Sequence, residues 1–294
     1  MKRILNFLKK VPVINRIIDS ILEKRRSYLI LKKGENLKSY DYLAVYLTKL
    51  DKAHAKKDRD LKKLHKDLNK LRKQQVESWN SFVYCKGYFY QGYKRVGIHG
   101  IKPTEARMKS YDVYDFFNAN GRVLDIGSNS GFLSIYLSDY YKEVVGIELN
   151  PYLIRMGECV KNHLGVRNVN FIKADFMSYS FNNQFDAVFS LSNHFTIDGN
   201  LNMSFEDYIY KIYNLLNNGG VLFFESHNIN GDDSDLDQKF LIASQYFDLK
   251  KYKMVKAFYP ADIDKLFAVF IKKPSISEKY SSFSLDKARH EYEY

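Results

Sequence analysis

Three carboxylates and two histidines stand where a chain can bring them to one place. Asp125 closes the apolar run Val123-Leu124, and Gly127-Ser128-Asn129-Ser130-Gly131 follows it at once. Gly127 lets the backbone turn, and Gly131 lets the helical pattern starting at Phe132 come close to a ligand. Such a turn aims backbone N–H groups at a nucleotide-like molecule. Glu148 lies 21 positions beyond Gly127, at the end of Val144-Val145-Gly146-Ile147. An acid at that distance accepts hydrogen bonds from ribose hydroxyls. Asp175, in Phe171-Ile172-Lys173-Ala174-Asp175-Phe176, is placed to take an adenine amino group, with Phe176 to cover the ring. His194 and His227 follow the next two apolar runs, with Asp198 and Glu225 nearby in sequence to orient them. Neutral imidazoles there are candidates for removing a proton from a hydroxyl.

These residues need a scaffold that returns to the same edge again and again. Strand-like runs fall at 122–126, 144–148, 169–173, 185–190 and 220–225, with helical patterns at 132–139, 152–163 and 204–217. Such alternation with short links predicts a parallel sheet with right-handed crossovers. Runs 247–257 and 265–272 are split only by residues 258–264, which predicts an antiparallel pair closing the sheet. The fold class expected is α/β, a doubly wound seven-stranded sheet behind a helical N-terminal arm.

The glycine turn after Asp125, Glu148, Asp175 and the Asn217-Asn218-Gly219-Gly220 helix stop, together with the closing strand pair, resemble the class I S-adenosylmethionine-dependent methyltransferases. The resemblance covers residues 100–272 and implies a Rossmann-like fold with S-adenosyl-L-methionine as methyl donor. It implies that Asp125, Gly127, Ser128, Asn129 and Gly131 hold the donor's amino acid part, Glu148 its ribose, and Asp175 with Phe176 its adenine. Asn129 stands where the family usually has a middle glycine. A few segments, among them Ser192-Asn193-His194-Phe195 and Glu225-Ser226-His227, look like bacterial surface-polysaccharide methyltransferases. No Asn/Asp-Pro-Pro-aromatic run follows the fourth strand, which lowers the class of acceptors with planar exocyclic amines. A glycan, lipid-linked or small-molecule hydroxyl is the expected acceptor, with His194 or His227 as base.

The charge is divided between two parts of the chain. Residues 1–110 carry 28 Lys and Arg against 10 Asp and Glu, a net +18, whereas residues 111–294 carry a net −6. The division expected is a basic helical arm (1–78), an aromatic-rich joint or substrate lid (79–110), the methyltransferase domain (111–273) and a polar, loosely ordered tail (274–294). Residues 1–31 have helical spacing broken near Pro12 and suit packing on the chain itself, on a sister subunit, or on an anionic membrane surface. Residues 41–75 carry a leucine seam, Leu43, Leu47, Leu50, Leu61, Leu64, Leu68 and Leu71, with a polar defect at His54 and Lys57. One long helix is expected, in a coiled coil or helical hairpin serving a homo-oligomer. Its lysines form either a solvated flank or a stripe for RNA, the alternative acceptor.

Other polar groups have plainer expectations. Two cysteines, Cys85 and Cys159, make no disulfide framework, so the chain reads as reduced and cytoplasmic, with peripheral attachment to the inner membrane face as an option. His99, Lys94, Arg95 and Arg107 are placed to pair between the two parts or to reach a phosphate or sugar acid. Thr104 reads as a helix cap. In Gly231-Asp232-Asp233-Ser234-Asp235, Asp233 or Ser234 reads as the cap of a helix through Phe240 to Tyr246, with divalent-metal binding the lesser reading, and no metal ligands are assigned.

Overall fold

The computed structural model describes residues 40–56, 58–79, 88–194, 204–256 and 263–291. The expectations for residues 1–31, for Lys57, Cys85 and Asp198, and for the link 258–262 lie outside them. Strands β1 (Gln91–Gly92) and β2 (Lys102–Pro103) form a small parallel pair. The main sheet uses β3 (Arg122–Ile126), β4 (Glu143–Glu148), β5 (Val169–Lys173), β6 (Phe185–Leu191), β7 (Leu216–Glu225), β8 (Phe247–Lys256) and β9 (Ile263–Lys272). Their order is β5-β4-β3-β6-β7-β9-β8, parallel except that β9 runs antiparallel to both β7 and β8. The order reverses between β3 and β6, so ligands are expected outside the carboxyl ends of those two strands.

The helices are α1 (Tyr40–Ala55), α2 (Arg59–Ser78), α3 (Thr104–Tyr111), α4 (Phe132–Leu137), α5 (Pro151–Leu164), α6 (Phe205–Leu215), α7 (Leu236–Ala243) and α8 (Leu285–Glu291). Local chemistry explains several of their ends. Asn150 caps α5 by accepting the Tyr152 N–H at 2.9 Å, Pro151 opens the helix, and Gly165 closes it in the left-handed region. Ser204 and Asp207 make a reciprocal capping box on α6.

Successive side chains of the central strands feed two cores. Val123, Val144, Ala187, Phe189 and Phe223 join one, and Leu124, Val145, Val188, Leu222 and Phe224 the other. Helices on both faces cover them, the doubly wound arrangement read from the alternation.

The arm departs from the expectation of one long helix and forms two, α1 and α2. It breaks at the polar defect, where Asp58 accepts the Leu61 N–H at 2.8 Å and starts α2 as a new helix. Leu43, Leu47, Leu61, Leu64, Leu68 and Leu71 are buried in the same core as Phe132, Met156 and Val160. The seam therefore packs against its own domain, because α5 supplies the apolar partner that a second chain would otherwise give.

The tail also differs. Residues after Pro274 fold back into α8, with Leu285 and Ala288 buried and Arg289 donating to the Ile229 carbonyl at 3.1 Å. No helix among the described residues is long and apolar enough to cross a membrane.

Candidate functional site

The turn after β3 is shaped by three left-handed residues, Gly127 (φ 61°), Asn129 (φ 54°) and Gly131 (φ 72°). A Cβ on Gly127 would stand 2.5 Å from Asn193 Oδ1, and one on Gly131 would stand 2.4 Å from the Phe171 ring. Both glycines are therefore required by conformation and by space. Asn129 takes the position of a glycine and is held there from both sides. Its N–H donates to Glu148 Oε2 at 2.9 Å, and its Oδ1 accepts the Ser130 N–H at 2.8 Å.

The turn is also clamped by Gln91, a residue with no sequence signal. Gln91 Nε2 donates to the Ser128 carbonyl at 3.2 Å, while its Oε1 accepts the Phe132 N–H, the first of α4, at 2.9 Å. A buried amide from the joint thus satisfies an orphan N–H at the start of α4.

The sequence-derived donor residues converge on one edge. Asp125 is 2% exposed and accepts from Ser134 Oγ at 2.6 Å. Burial pushes its carboxyl up to about 7. Glu148 is half-buried and also accepts the Asn150 N–H at 2.9 Å. Asp175 follows β5 and accepts the Ser178 N–H at 2.9 Å. Phe176 is the residue expected to cover the adenine ring. It is 8% exposed, edge-on to Tyr208 at 5.6 Å, with the Lys211 ammonium 5.2 Å from its centroid.

These residues fit S-adenosylmethionine. Ser128 Oγ is fully buried and has no hydrogen-bond partner among the described residues. That leaves an unspent polar group in the turn beside two part-exposed carboxylates on adjacent strand ends, the chemistry a nucleoside with an amino acid tail requires.

The structure joins His194 and His227, the residues expected to face the acceptor, and their rings meet at 5.1 Å and 65°. Ser192, held at φ 60°, and Asn193 turn the chain out of β6, and Asn193 Nδ2 donates to the Ile126 carbonyl beside the glycine turn. The carboxylate that meets the His194 ring is Asp233, a residue sequence reasoning did not pair with it; the expected partner, Asp198, lies outside the described residues. Asp233 Oδ1 lies 2.9 Å from His194 Nε2, and Oδ2 accepts the His227 N–H. Lys239 also donates to Asp233. These hydrogen bonds, above all those with His194 and Lys239, hold the Asp233 carboxyl well below its ordinary value against the cost of burial. Asp233 is therefore not a helix cap: α7 starts at Leu236, and its cap residue Asp235 makes no side-chain cap bond. Its pull toward the histidines is tertiary. His227 is pushed down to about 4, by burial first and then by His194 and Lys265.

Glu225 serves another cluster. It is fully buried and accepts from Lys102 Nζ at 2.7 and 2.8 Å, Arg107 Nη2 at 2.8 Å, Ser192 Oγ at 2.9 Å and the Tyr111 hydroxyl. Arg107 thus turns inward from α3, and Thr104 makes no cap there. His99 pairs with Asp51 at 2.7 Å and Arg95 with Asp139 at 3.3 Å, which joins the arm and joint to the domain.

The chain is similar to known methyltransferases. Residues 123–220 match the family model described as a methyltransferase domain. An uncharacterized RNA methyltransferase of Mycoplasma mobile is 31% identical over 99 residues, 32% of this chain and 27% of that protein. The chain thus spans about a quarter of that relative's length. A putative protein N5-glutamine methyltransferase of Methanocaldococcus jannaschii is 26% identical over 138 residues, 40% of this chain and 68% of that protein. Among solved structures, the N-methyltransferase NodS of Bradyrhizobium japonicum with S-adenosyl-L-homocysteine aligns at a TM-score of 0.47 and 17% identity. That alignment covers 57% of this chain and 84% of the other.

Proposed function

Residues 123–220 are a class I S-adenosylmethionine-dependent methyltransferase domain, and from that premise we propose that the whole chain methylates a hydroxyl of a glycan, lipid-linked or small-molecule acceptor. The donor, when bound, supplies an electrophilic methyl group on a sulfonium. Gln91, the glycine turn, Glu148 and Asp175 bind and orient it. The observation that carries the hydroxyl reading is the contact between His194 and Asp233.

A carboxylate only accepts hydrogen bonds, so His194 Nε2 carries the proton in that contact. When the ring carries one proton, the other nitrogen, Nδ1, holds a lone pair. It is buried and has no hydrogen-bond partner among the described residues. A nitrogen fixed in that tautomer is what a general base for a hydroxyl needs. His227 stays neutral above about pH 5 and adds no competing positive charge beside it.

The test is mass spectrometry of cell extracts incubated with the full chain and isotopically labelled methyl donor. Label on a hydroxyl of a saccharide, lipid or small molecule supports the reading; label confined to nitrogen or to protein removes it.

RNA is the second reading. It is favoured by the exposed Lys62, Lys63, Lys66, Lys70 and Lys73 of α2 and by the relative named as an RNA methyltransferase. Deleting the arm would bare the core that its leucines fill. Charge reversal of these five lysines in the full chain is the cleaner test. Steeply salt-dependent RNA binding that the reversal abolishes, with RNA carrying the label, supports it.

A further inference from the structure

The cluster around Glu225 holds more positive charge than the protein neutralises. Lys102, Arg107 and Lys265 surround this one carboxylate, at 2.7, 2.8 and 3.6 Å, and their side chains are only 7%, 5% and 10% exposed. Two carboxylate oxygens offer about four lone-pair sites. Lys102 takes two contacts, and Arg107, Ser192 and Tyr111 take one each. Lys265 is left beyond hydrogen-bond reach of Glu225 and donates instead to Ser192 Oγ at 2.6 Å and the Ser226 carbonyl at 3.3 Å, both neutral.

No neighbouring acid makes up the difference. Asp125, which feels Arg107, is pushed up to about 7 by burial and so carries only about half a charge at neutral pH. On the other flank, His227 faces Lys265 and is neutral. Asp233, the next carboxylate, has its charge met by Lys239 and also accepts from His194. Burial, then Arg107, depress the Lys102 ammonium well below its usual value. Even with Lys102 neutral, Arg107 and Lys265 outnumber Glu225. Buried charges are ordinarily paired, so a surplus cation at a ligand-binding edge marks a place for an anion.

The location fits an acceptor. Glu225 ends β7 and Ser192 follows β6, at the carboxyl edge of the sheet. Asn193, next in the chain, touches the glycine turn, and His194 follows it. We propose that Lys265 and Arg107, with Lys102, form a subsite for an oxyanion, a carboxylate or phosphate, carried by the methyl acceptor. The subsite deepens the reading of a hydroxyl acceptor and rests on it: the acceptor is an anionic molecule whose charged group docks beside Glu225 while its hydroxyl faces His194.

Calorimetric titration of the full chain with inorganic phosphate, at ionic strength balanced with chloride, tests the subsite. The wild type is expected to bind phosphate, Lys265→Gln to bind at least about tenfold more weakly, and Lys265→Arg to keep the affinity. Glu225→Gln, which removes the competing carboxylate, is expected to bind more tightly. No phosphate binding by the folded wild type overturns the proposal, as does equal binding by the wild type and Lys265→Gln. The readout needs no methyl transfer. A chain that binds phosphate yet labels no hydroxyl sinks only the acceptor reading, and one that labels a neutral hydroxyl compound without binding phosphate sinks only the subsite.

Discussion

Gln91 Oε1 accepts the N–H of Phe132 at 2.9 Å, so a side chain from the joint caps the helix that leaves the donor turn. The same amide donates to the Ser128 carbonyl. The turn after Asp125 is therefore held jointly by the methyltransferase domain and the segment that precedes it.

Gln91→Ala leaves the Phe132 N–H without its partner and costs stability of about 1–3 kcal/mol. It also frees the turn, and affinity for S-adenosylhomocysteine is expected to fall about tenfold by calorimetry. A lower melting temperature with unchanged donor affinity would show that Gln91 only supports the fold.

His194→Ala is expected to lower kcat by about 10²–10⁴ with little change in donor affinity, the size of effect a positioned base supplies. Asp233→Asn can turn its amide NH₂ toward Nε2, moving the imidazole proton to Nδ1 and removing the lone pair the base needs. Its kcat should fall as well. Turnover by His194→Ala equal to wild type removes the histidine from the chemistry.

Asp125 gives a pH dependence with a definite sign. Its folded value, about 7, lies above the ordinary carboxylate value because burial disfavours the charge. Its contribution is fully present below about pH 4 and is lost as the pH rises toward and through 7, since the unfolded chain releases the proton first. Asp125→Asn should remove this loss, so its melting temperature relative to wild type should be higher at pH 8 than at pH 5. Thermal melts at the two pH values decide it, and an equal offset at both contradicts the assignment. If Asp125 also holds the donor, the variant binds S-adenosylhomocysteine more weakly.

The leucine seam makes a prediction about state rather than chemistry. Leu68 is fully buried within its own chain. Leu68→Ala should destabilise the protein by about 2–5 kcal/mol by leaving a cavity. Sedimentation should show the same mass for variant and wild type. A change of oligomeric state without destabilisation would return the seam to a partner chain.

Sequence alone determined what is local or periodic. Strand–helix alternation fixed the order of elements from Arg122 onward, because a strand buried on both faces must be an apolar run. The glycines at 127 and 131 were legible because few other residues tolerate their backbone, and Glu148 and Asp175 because an acid ending a buried strand is conspicuous. Tertiary structure decided what depends on partners distant in the chain. It paired His194 with Asp233, 39 positions away, and gave Glu225 to Lys102 and Arg107, more than 110 positions away. It brought Gln91 onto the donor turn and turned the leucine seam inward against α5. Periodicity records that a face is apolar and composition records that a group is charged. Neither says which surface covers the one or which counter-charge meets the other; only packing and burial choose among the partners a sequence offers.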